Sequence, residues 1–250
     1  MPVATIADYK RTAYSTNIET EETDTTTNSV KIKHNSDDDY YFTEALPEDE
    51  KTSVDTYKGF YIGRYEAGDK ESTEAKTLRS SADATKTVTI KANQAPYNLV
   101  TRAQAISLAE GFATKQVYKA KTKLVSSYAW DTTIAFIQKV NSDYGSSTPQ
   151  GNYADTKITY VDITGTSQTK AAKPSAVLVT TGQTTPVCNI YDMGGNVWEW
   201  TTELCSDING VYSNRGGTYQ GFYAEHPAGL RDRYSDISSD LGFRIALFID

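Results

Sequence analysis

The stretch 189–201 contains the residue types of this chain that are most suited to a functional site. Within it, the two carboxylates of Asp192 and Glu199 flank a turn. The Gly-Gly-Asn sequence at 194–196 tolerates positive φ, so the backbone can fold back sharply there. The alternation over 197–200 then places two indoles on one face of a strand and Glu199 on the other. That carboxylate needs a partner. A hard cation such as Ca²⁺ is one candidate, and an arginine or water is the other.

Thiols and imidazoles are few. Cys188 and Cys205 flank the same stretch, and the histidines are His34 and His226. The cysteines could close a small disulfide loop, although two thiols in a chain without an export signal are more often reduced. No Ser-His-Asp, phosphate-loop or zinc spacing occurs, so residue spacing alone does not support an enzyme.

Composition limits the class of protein. The 250 residues include 18 tyrosines and 16 glycines, and helical periodicity is scarce, which favours a loop-rich α+β or mostly β domain. A net charge of −7 without a dense basic run argues against nucleic-acid binding. The N-terminus lacks a signal-peptide core, and no apolar stretch approaches bilayer length. We predict a soluble protein without membrane insertion, cytoplasmic or displayed on a virion or surface through a partner.

Two main helices are predicted to position these residues. Thr101 and Gln104 form a capping-box pattern at the start of a helix over 101–113. A second helix is predicted over 127–141, where apolar residues recur at helical spacing. The apolar residues along one face of each helix indicate that the helix packs against a sheet and do not indicate a cofactor site.

Strands are predicted on either side of these helices. The segment 59–66 has aromatic residues on both faces, which indicates an internal strand, and 241–248 is the most apolar stretch and is expected in the sheet core. Shorter alternating segments occur at 87–90 and 158–163.

The N-terminal part is polar, and we treat 1–52 as a segment preceding a domain over 53–250. Within it, 19–28 has almost nothing to bury and is predicted to be a loop or linker. Residues 29–33 alternate and are predicted to form an edge strand.

Four motifs in order resemble the formylglycine-generating-enzyme (sulfatase-modifying factor) branch of the C-type lectin fold. They are Gly-Phe-Tyr-Ile-Gly-Arg-Tyr-Glu at 59–66, Asp-Met-Gly-Gly-Asn-Val-Trp-Glu-Trp at 192–200, Arg-Gly-Gly at 215–217 and Gly-Phe-Arg at 242–244. The resemblance extends over about residues 57–249. It implies an α+β fold, rich in loops, with a twisted antiparallel sheet and with its termini in neighbouring strands.

The resemblance also bears on catalysis. Generating enzymes use two cysteines shortly after Arg-Gly-Gly to bind copper, a metal that requires soft thiolates. Here Gly221 and His226 stand at those positions. A second class of relatives uses a histidine-based iron site, and this chain has too few histidines for one. We therefore predict that the protein is not an enzyme. A modifying oxidase and a virion structural module are the alternatives.

The closest resemblance is to a non-catalytic class, the variable proteins of diversity-generating retroelements in phages, viruses and prokaryotes. In them the stretch between Arg-Gly-Gly and Gly-Phe-Arg is rewritten at template adenines and binds ligands. In this chain, aromatic residues and arginines, including Tyr219 and Arg231, crowd about residues 211–240. The predicted ligand-binding residues are Thr218, Gly221, Phe222, Tyr223, Ala224, His226, Leu230, Asp232, Arg233, Tyr234 and Asp236. The alternative for each aromatic side chain is a half-buried support of the loop.

The remaining motif residues are expected to form the framework: Trp198, Trp200, Arg215, Gly216, Gly217, Gly242, Phe243 and Arg244. Each of the two arginines is expected to pair with a carboxylate beside the core. Four positions match calcium ligands of the generating-enzyme branch, namely Asp192, Gly195, Val197 and Glu199. This interpretation requires no cofactor. It leaves open whether Ca²⁺ binds. The expected partner is a protein or cell-surface ligand.

Overall fold

The computed structural model describes the chain apart from residues 17, 25, 28, 35–38, 74–78, 80, 117–119, 173–174 and 250. In the part described, the fold is mixed α/β and mostly sheet, with three α-helices: α1 (Glu48–Tyr57), α2 (Arg102–Gln116) and α3 (Ser127–Ile137). The strands are β1 (Glu19–Asp24), β2 (Ser29–His34), β3 (Tyr40–Thr43), β4 (Tyr61–Ile62), β5 (Gly68–Asp69), β6 (Val88–Thr89), β7 (Ala95–Pro96), β8 (Lys121–Leu124), β9 (Ile158–Val161), β10 (Ser167–Lys170), β11 (Trp198–Cys205), β12 (Tyr212–Arg215), β13 (Arg231–Tyr234), β14 (Leu241–Phe243) and β15 (Ile245–Phe248).

The largest sheet has the order β1-β2-β3-β11-β12-β13, and β14 pairs with β11. All its pairs are antiparallel except β11 with β14. Strand β15 pairs with β4 on one side and β8 on the other, which brings the first and last thirds of the chain together as the resemblance implied. Smaller sheets join β5 to β6 and β7, and β9 to β10.

Both predicted helices are confirmed. The capping box of α2 is reciprocal: the Thr101 N–H donates to Gln104 Oε1 at 2.9 Å, and the Gln104 N–H donates to Thr101 Oγ1 at 3.2 Å. Helix α3 begins where Ser126 Oγ accepts from the Ala129 N–H, and it ends at Ile137. The predicted end near 141 is too late, and Val140 is 76% exposed.

The core has two main parts. One surrounds α3, where Trp130 and Ile134 pack with residues of the N-terminal segment such as Tyr9. The other lies between α2 and β11 and contains Trp198 and Trp200. The elements that carry the sequence motifs therefore share one interior with the two helices.

The N-terminal segment differs from its prediction. Residues Glu19–Asp24 form β1, although a loop or linker was expected there. The carboxylates of Glu19 and Glu21 are buried in this strand, and Glu21 pairs with an arginine. Strand β2 lies between β1 and β3, so it is not an edge strand. The expected boundary at 52 falls inside α1.

Two other elements were missed or misplaced. Helix α1 buries only Glu50, Ser53 and Val54, which gives almost no apolar periodicity to detect. Glu50 accepts hydrogen bonds at 2.6 Å from the Tyr9 hydroxyl and at 2.7 Å from the Ser126 hydroxyl. The predicted internal strand at 59–66 shortens to β4, which lies at the edge of its sheet.

Candidate ligand-binding surface

Strand β11 forms the centre of the framework. Trp198 and Trp200 are 6% and 1% exposed and lie in the same core, as the alternation predicted. Glu199 faces Arg244, whose Nη2 lies 2.6 Å from one carboxylate oxygen and whose Nε lies 2.9 Å from the other. The partner of this carboxylate is therefore the arginine of the Gly-Phe-Arg motif. Burial raises the pKa of Glu199, and the neighbouring guanidinium opposes that rise.

The four positions that match calcium ligands do not form a cage in this arrangement. Both Glu199 oxygens are paired with Arg244, which also donates to the carbonyls of Tyr191 and Asp192 at 3.0 Å. The Asp192 carboxylate accepts from the Gly182 N–H at 2.5 Å and from the Thr184 hydroxyl at 2.8 Å. A guanidinium already supplies the positive charge, and the described residues contain no group of three or more His, Cys, Asp or Glu placed to hold a metal. These contacts of Glu199 and Asp192 disfavour Ca²⁺ at the four positions, and the calcium site stays a hypothesis.

A buried ion cluster lies behind the hairpin of β12 and β13. It contains three arginines and three carboxylates: Arg11, Arg215, Arg231, Glu21, Asp131 and Glu203. Arg231 lies 2.5 Å from Asp131 Oδ2 and 2.6 Å from Glu21 Oε2. Its Nε lies 3.0 Å from Glu203. The equal numbers of opposite charges offset part of the cost of removing the cluster from water.

This cluster ties four elements together through one side chain. Arg231 on β13 reaches Asp131 on α3, Glu21 on β1 and Glu203 on β11. Burial acts to raise the pKa of Glu203, but the surrounding guanidinium groups lower it to about 2. The expectation that Arg215 pairs with a carboxylate is confirmed, at 2.5 Å from Asp131. Arg231, by contrast, was grouped with side chains at the predicted surface, and it is 1% exposed.

The predicted ligand-binding residues divide by exposure. Those with accessible side chains are Phe222, Tyr223, Ala224, His226, Asp232, Arg233, Tyr234 and Asp236, and we call this set the variable surface. Phe222 is 36% and Tyr234 42% exposed, which makes them two of the few exposed large hydrophobic residues in the described chain. Thr218, Gly221 and Leu230 are buried, so the predicted surface must be corrected: these three lie beneath it and add no contact area.

One half of the variable surface is a compact loop. The His226 N–H donates to the Phe222 carbonyl at 2.8 Å, which closes a helical turn. The Tyr223 N–H reaches the carboxylate of Asp155 at 3.3 Å. The His226 ring packs edge-on against Trp198 at a centroid distance of 5.7 Å, and burial lowers the pKa of His226. The imidazole is therefore predominantly neutral at pH 7 and is fixed to the framework.

The other half of the surface is the edge strand β13. Arg233 stacks over the ring of Tyr40 with its guanidinium carbon 3.3 Å from the ring centroid, and it donates to the Tyr40 hydroxyl. Tyr234 lies opposite Tyr212 in the register of the hairpin. The carboxylate of Asp232 partly opposes the lowering of the His226 pKa by burial, so the strand and the loop interact electrostatically. No sequence signal identified Tyr40 or Asp155 as neighbours of this surface.

The two positions that resemble the copper-binding cysteine pair are adjacent in space. A Cβ added at Gly221 would overlap the His226 imidazole, so glycine is needed there while residue 226 is histidine. Cys188 and Cys205 are free thiols; Cys205 lies on β11, paired with Phe42 of β3. Neither thiol belongs to the loop.

The family model of the sulfatase-modifying factor enzyme 1-like domain matches residues 16–249. The chain belongs to this family. The match begins at residue 16, so the sulfatase-modifying-factor-like domain includes most of the segment that was predicted to precede it. None of the helices in the described residues is long and apolar enough to span a bilayer.

No curated protein matches the sequence. Several solved structures are similar to the chain, at low sequence identity. PvdO from Pseudomonas aeruginosa is 16% identical with a TM-score of 0.49, over 84% of this chain and 94% of that one. Treponema denticola variable protein 1 is 13% identical with a TM-score of 0.45, over 95% and 93%. CarF is 19% identical with a TM-score of 0.42, over 62% and 69%. Similarity at this level does not identify a ligand or a reaction.

Proposed function

We propose that this protein is a non-catalytic ligand-binding member of its family and that the variable surface contacts the ligand. The observation that carries the proposal is the contrast across β13. Arg231 is fixed in a buried ion cluster, while Tyr234, three residues later, is 42% exposed. The same strand thus holds a buried framework residue and an exposed side chain that is accessible to a ligand.

The chemistry of the surface fits recognition of a protein or cell-surface ligand. Tyr and Phe give large contact area at a small cost in conformational entropy, and Arg gives adaptable hydrogen bonds. His226 and Gly221 fill the positions of the cysteine pair, so the loop offers no thiolate to a copper ion. Acidic net charge without a basic patch disfavours nucleic acid as the ligand.

We further infer that the domain is a C-type-lectin-like variable protein of a diversity-generating retroelement, found in a phage, a virus or a prokaryote. The DNA around the gene tests this inference. We expect a near-repeat of the 3′ coding region that differs almost only at adenines and lies near a reverse-transcriptase frame.

Sequencing the gene from independent isolates gives a second test. Substitutions should concentrate on the variable surface and leave framework residues such as Trp198, Arg215 and Arg244 unchanged. Gln220 and Glu225 should also stay fixed, because randomising the adenines of Asn-type codons ending in a pyrimidine cannot produce Gln or Glu. An even spread of substitutions over the chain, together with no template repeat, would overturn the retroelement assignment.

Family membership alone also allows a modifying oxidase. That alternative requires a tightly bound transition metal, and stoichiometric copper or iron in the purified protein would favour it over ligand binding. A virion structural module is the third class. It would be favoured if the variable surface were buried in a stable oligomer in solution.

A further inference from the structure

A second concave site lies on the sheet formed by β4, β15 and β8. None of its lining residues belongs to 211–240, so it is separate from the variable surface. Its volume is about 330 Å³, which is within the range of small-molecule sites. It is therefore large enough for a small ligand.

The walls of this cleft are apolar because one face of β15 is incompletely covered. Ala246 and Phe248 point into the core around α3, whereas Ile245 and Leu247 alternate to the opposite face. Helix α2 contributes Phe112 to the same cleft, and the apolar lining also includes Val88 and Tyr61, which lies opposite Leu247 in the pairing of β4 with β15. Leu247 is only partly buried, so apolar surface remains accessible to a ligand.

The charges around the cleft have one sign. Arg64, Lys70 and Lys91 line it and are exposed, and among the described residues no Asp or Glu lines it. Within the part of the chain that the structure describes, none of these three cations forms an ion pair, and Lys70 interacts with the neighbouring Glu71 only at longer range. The net charge of the chain is −7, yet these three cations lie together beside an apolar wall. It is complementary to an anion that carries an apolar tail.

We propose that this cleft binds a small amphiphilic carboxylate of the medium-chain fatty-acid class. The hydrocarbon chain packs against Tyr61, Val88 and Leu247, and the carboxylate pairs with the cations at the rim. Binding is reversible and involves no covalent step. The site is independent of the ligand of the variable surface.

Titration of methyl-labelled protein with octanoate, and separately with the neutral analogue octanol, tests the proposal. NMR shifts are expected at the methyl groups of Val88, Ile90, Ile245 and Leu247. They are not expected at Ile158, which belongs to a separate core cluster. Octanoate should bind about tenfold more tightly than octanol, because two or more exposed ion pairs each contribute up to about fivefold.

The double variant Lys70→Glu/Lys91→Glu should lose that preference and leave octanol binding unchanged. The double variant Lys10→Glu/Lys157→Glu, which makes the same change in charge at exposed positions outside the cleft, should behave as wild type. Equal affinity of the wild type for the two compounds would overturn the proposal, as would shifts confined to methyl groups outside the cleft. The wild-type comparison decides the matter even if the double variant fails to fold.

Discussion

Arg231 and Arg233 are the same residue type on the same strand, two positions apart, so both side chains leave the same face of β13. Their roles are opposite, and replacing each arginine in turn measures the difference in stability. Arg231→Leu removes the charge that pairs with Asp131, Glu21 and Glu203. Arg233→Leu removes a stacking contact with Tyr40 at the protein surface.

The expected magnitudes differ severalfold. Removing one partner of a buried ion pair leaves an uncompensated charge and costs about 3–5 kcal/mol. Losing a cation–π contact at an exposed site costs about 0.5–1 kcal/mol. For a chain of this length, 1 kcal/mol corresponds to roughly 2–4 °C in melting temperature, so Arg231→Leu should lower it by about 6–20 °C and Arg233→Leu by no more than about 4 °C.

Urea unfolding followed by tryptophan fluorescence measures both free energies of unfolding on one scale. The ligand-binding proposal needs Arg231 to be framework and Arg233 to be replaceable. Equal losses of stability in the two variants would refute the division of β13 into a fixed and a variable part. A small loss for Arg231→Leu would show that the buried cluster does not hold the hairpin.

Three further outcomes are expected. Burial raises the pKa of Glu44 to about 8, so the folded state keeps a proton that the unfolded state loses above about pH 4.5. The free energy of unfolding should therefore fall between pH 5 and 8. Urea unfolding across that range should show a smaller fall for Glu44→Gln. Because Arg244 pairs with both oxygens of Glu199, millimolar Ca²⁺ should leave the melting temperature unchanged, and a rise that EDTA reverses would contradict this arrangement. Gly217→Ala should lower the free energy of unfolding, measured in urea, by about 2 kcal/mol more than Gly165→Ala. Both glycines have positive φ, but an added Cβ would overlap backbone atoms only at Gly217. Equal losses in the two variants would show that the backbone near Gly217 moves to accommodate the Cβ.

The parts of the fold that follow local rules could be predicted from the sequence. The capping box and apolar stripe located α2, and the alternation around Glu199 placed two tryptophans in the core. Both signals depend only on neighbours in the chain. The pairing of Arg215 and Arg244 with carboxylates was also predicted, because both arginines belong to the motifs that bracket the stretch expected to vary.

The parts that failed depend on partners far along the chain. A run such as Glu19–Asp24 is read as a loop because it has nothing apolar to bury, and it becomes a strand only when Arg231, more than 200 residues later, neutralises Glu21. The same contact explains why Arg231 was grouped with surface residues. Hydrophobic periodicity contains no information about a buried pair of this kind. Contacts such as Tyr40 with Arg233 were missed for the same reason.

The ion cluster also fixes the register of the hairpin. Arg215 and Arg231 lie directly opposite each other on β12 and β13, a placement of like charges that would destabilise an ordinary pair of strands. Asp131 resolves the conflict because each of its oxygens pairs with one arginine, both at 2.5 Å. A slip of one residue would turn Arg231 away from its three carboxylates and leave Glu21 without its guanidinium partner in the interior. The register therefore depends on buried charges that do not belong to the variable surface.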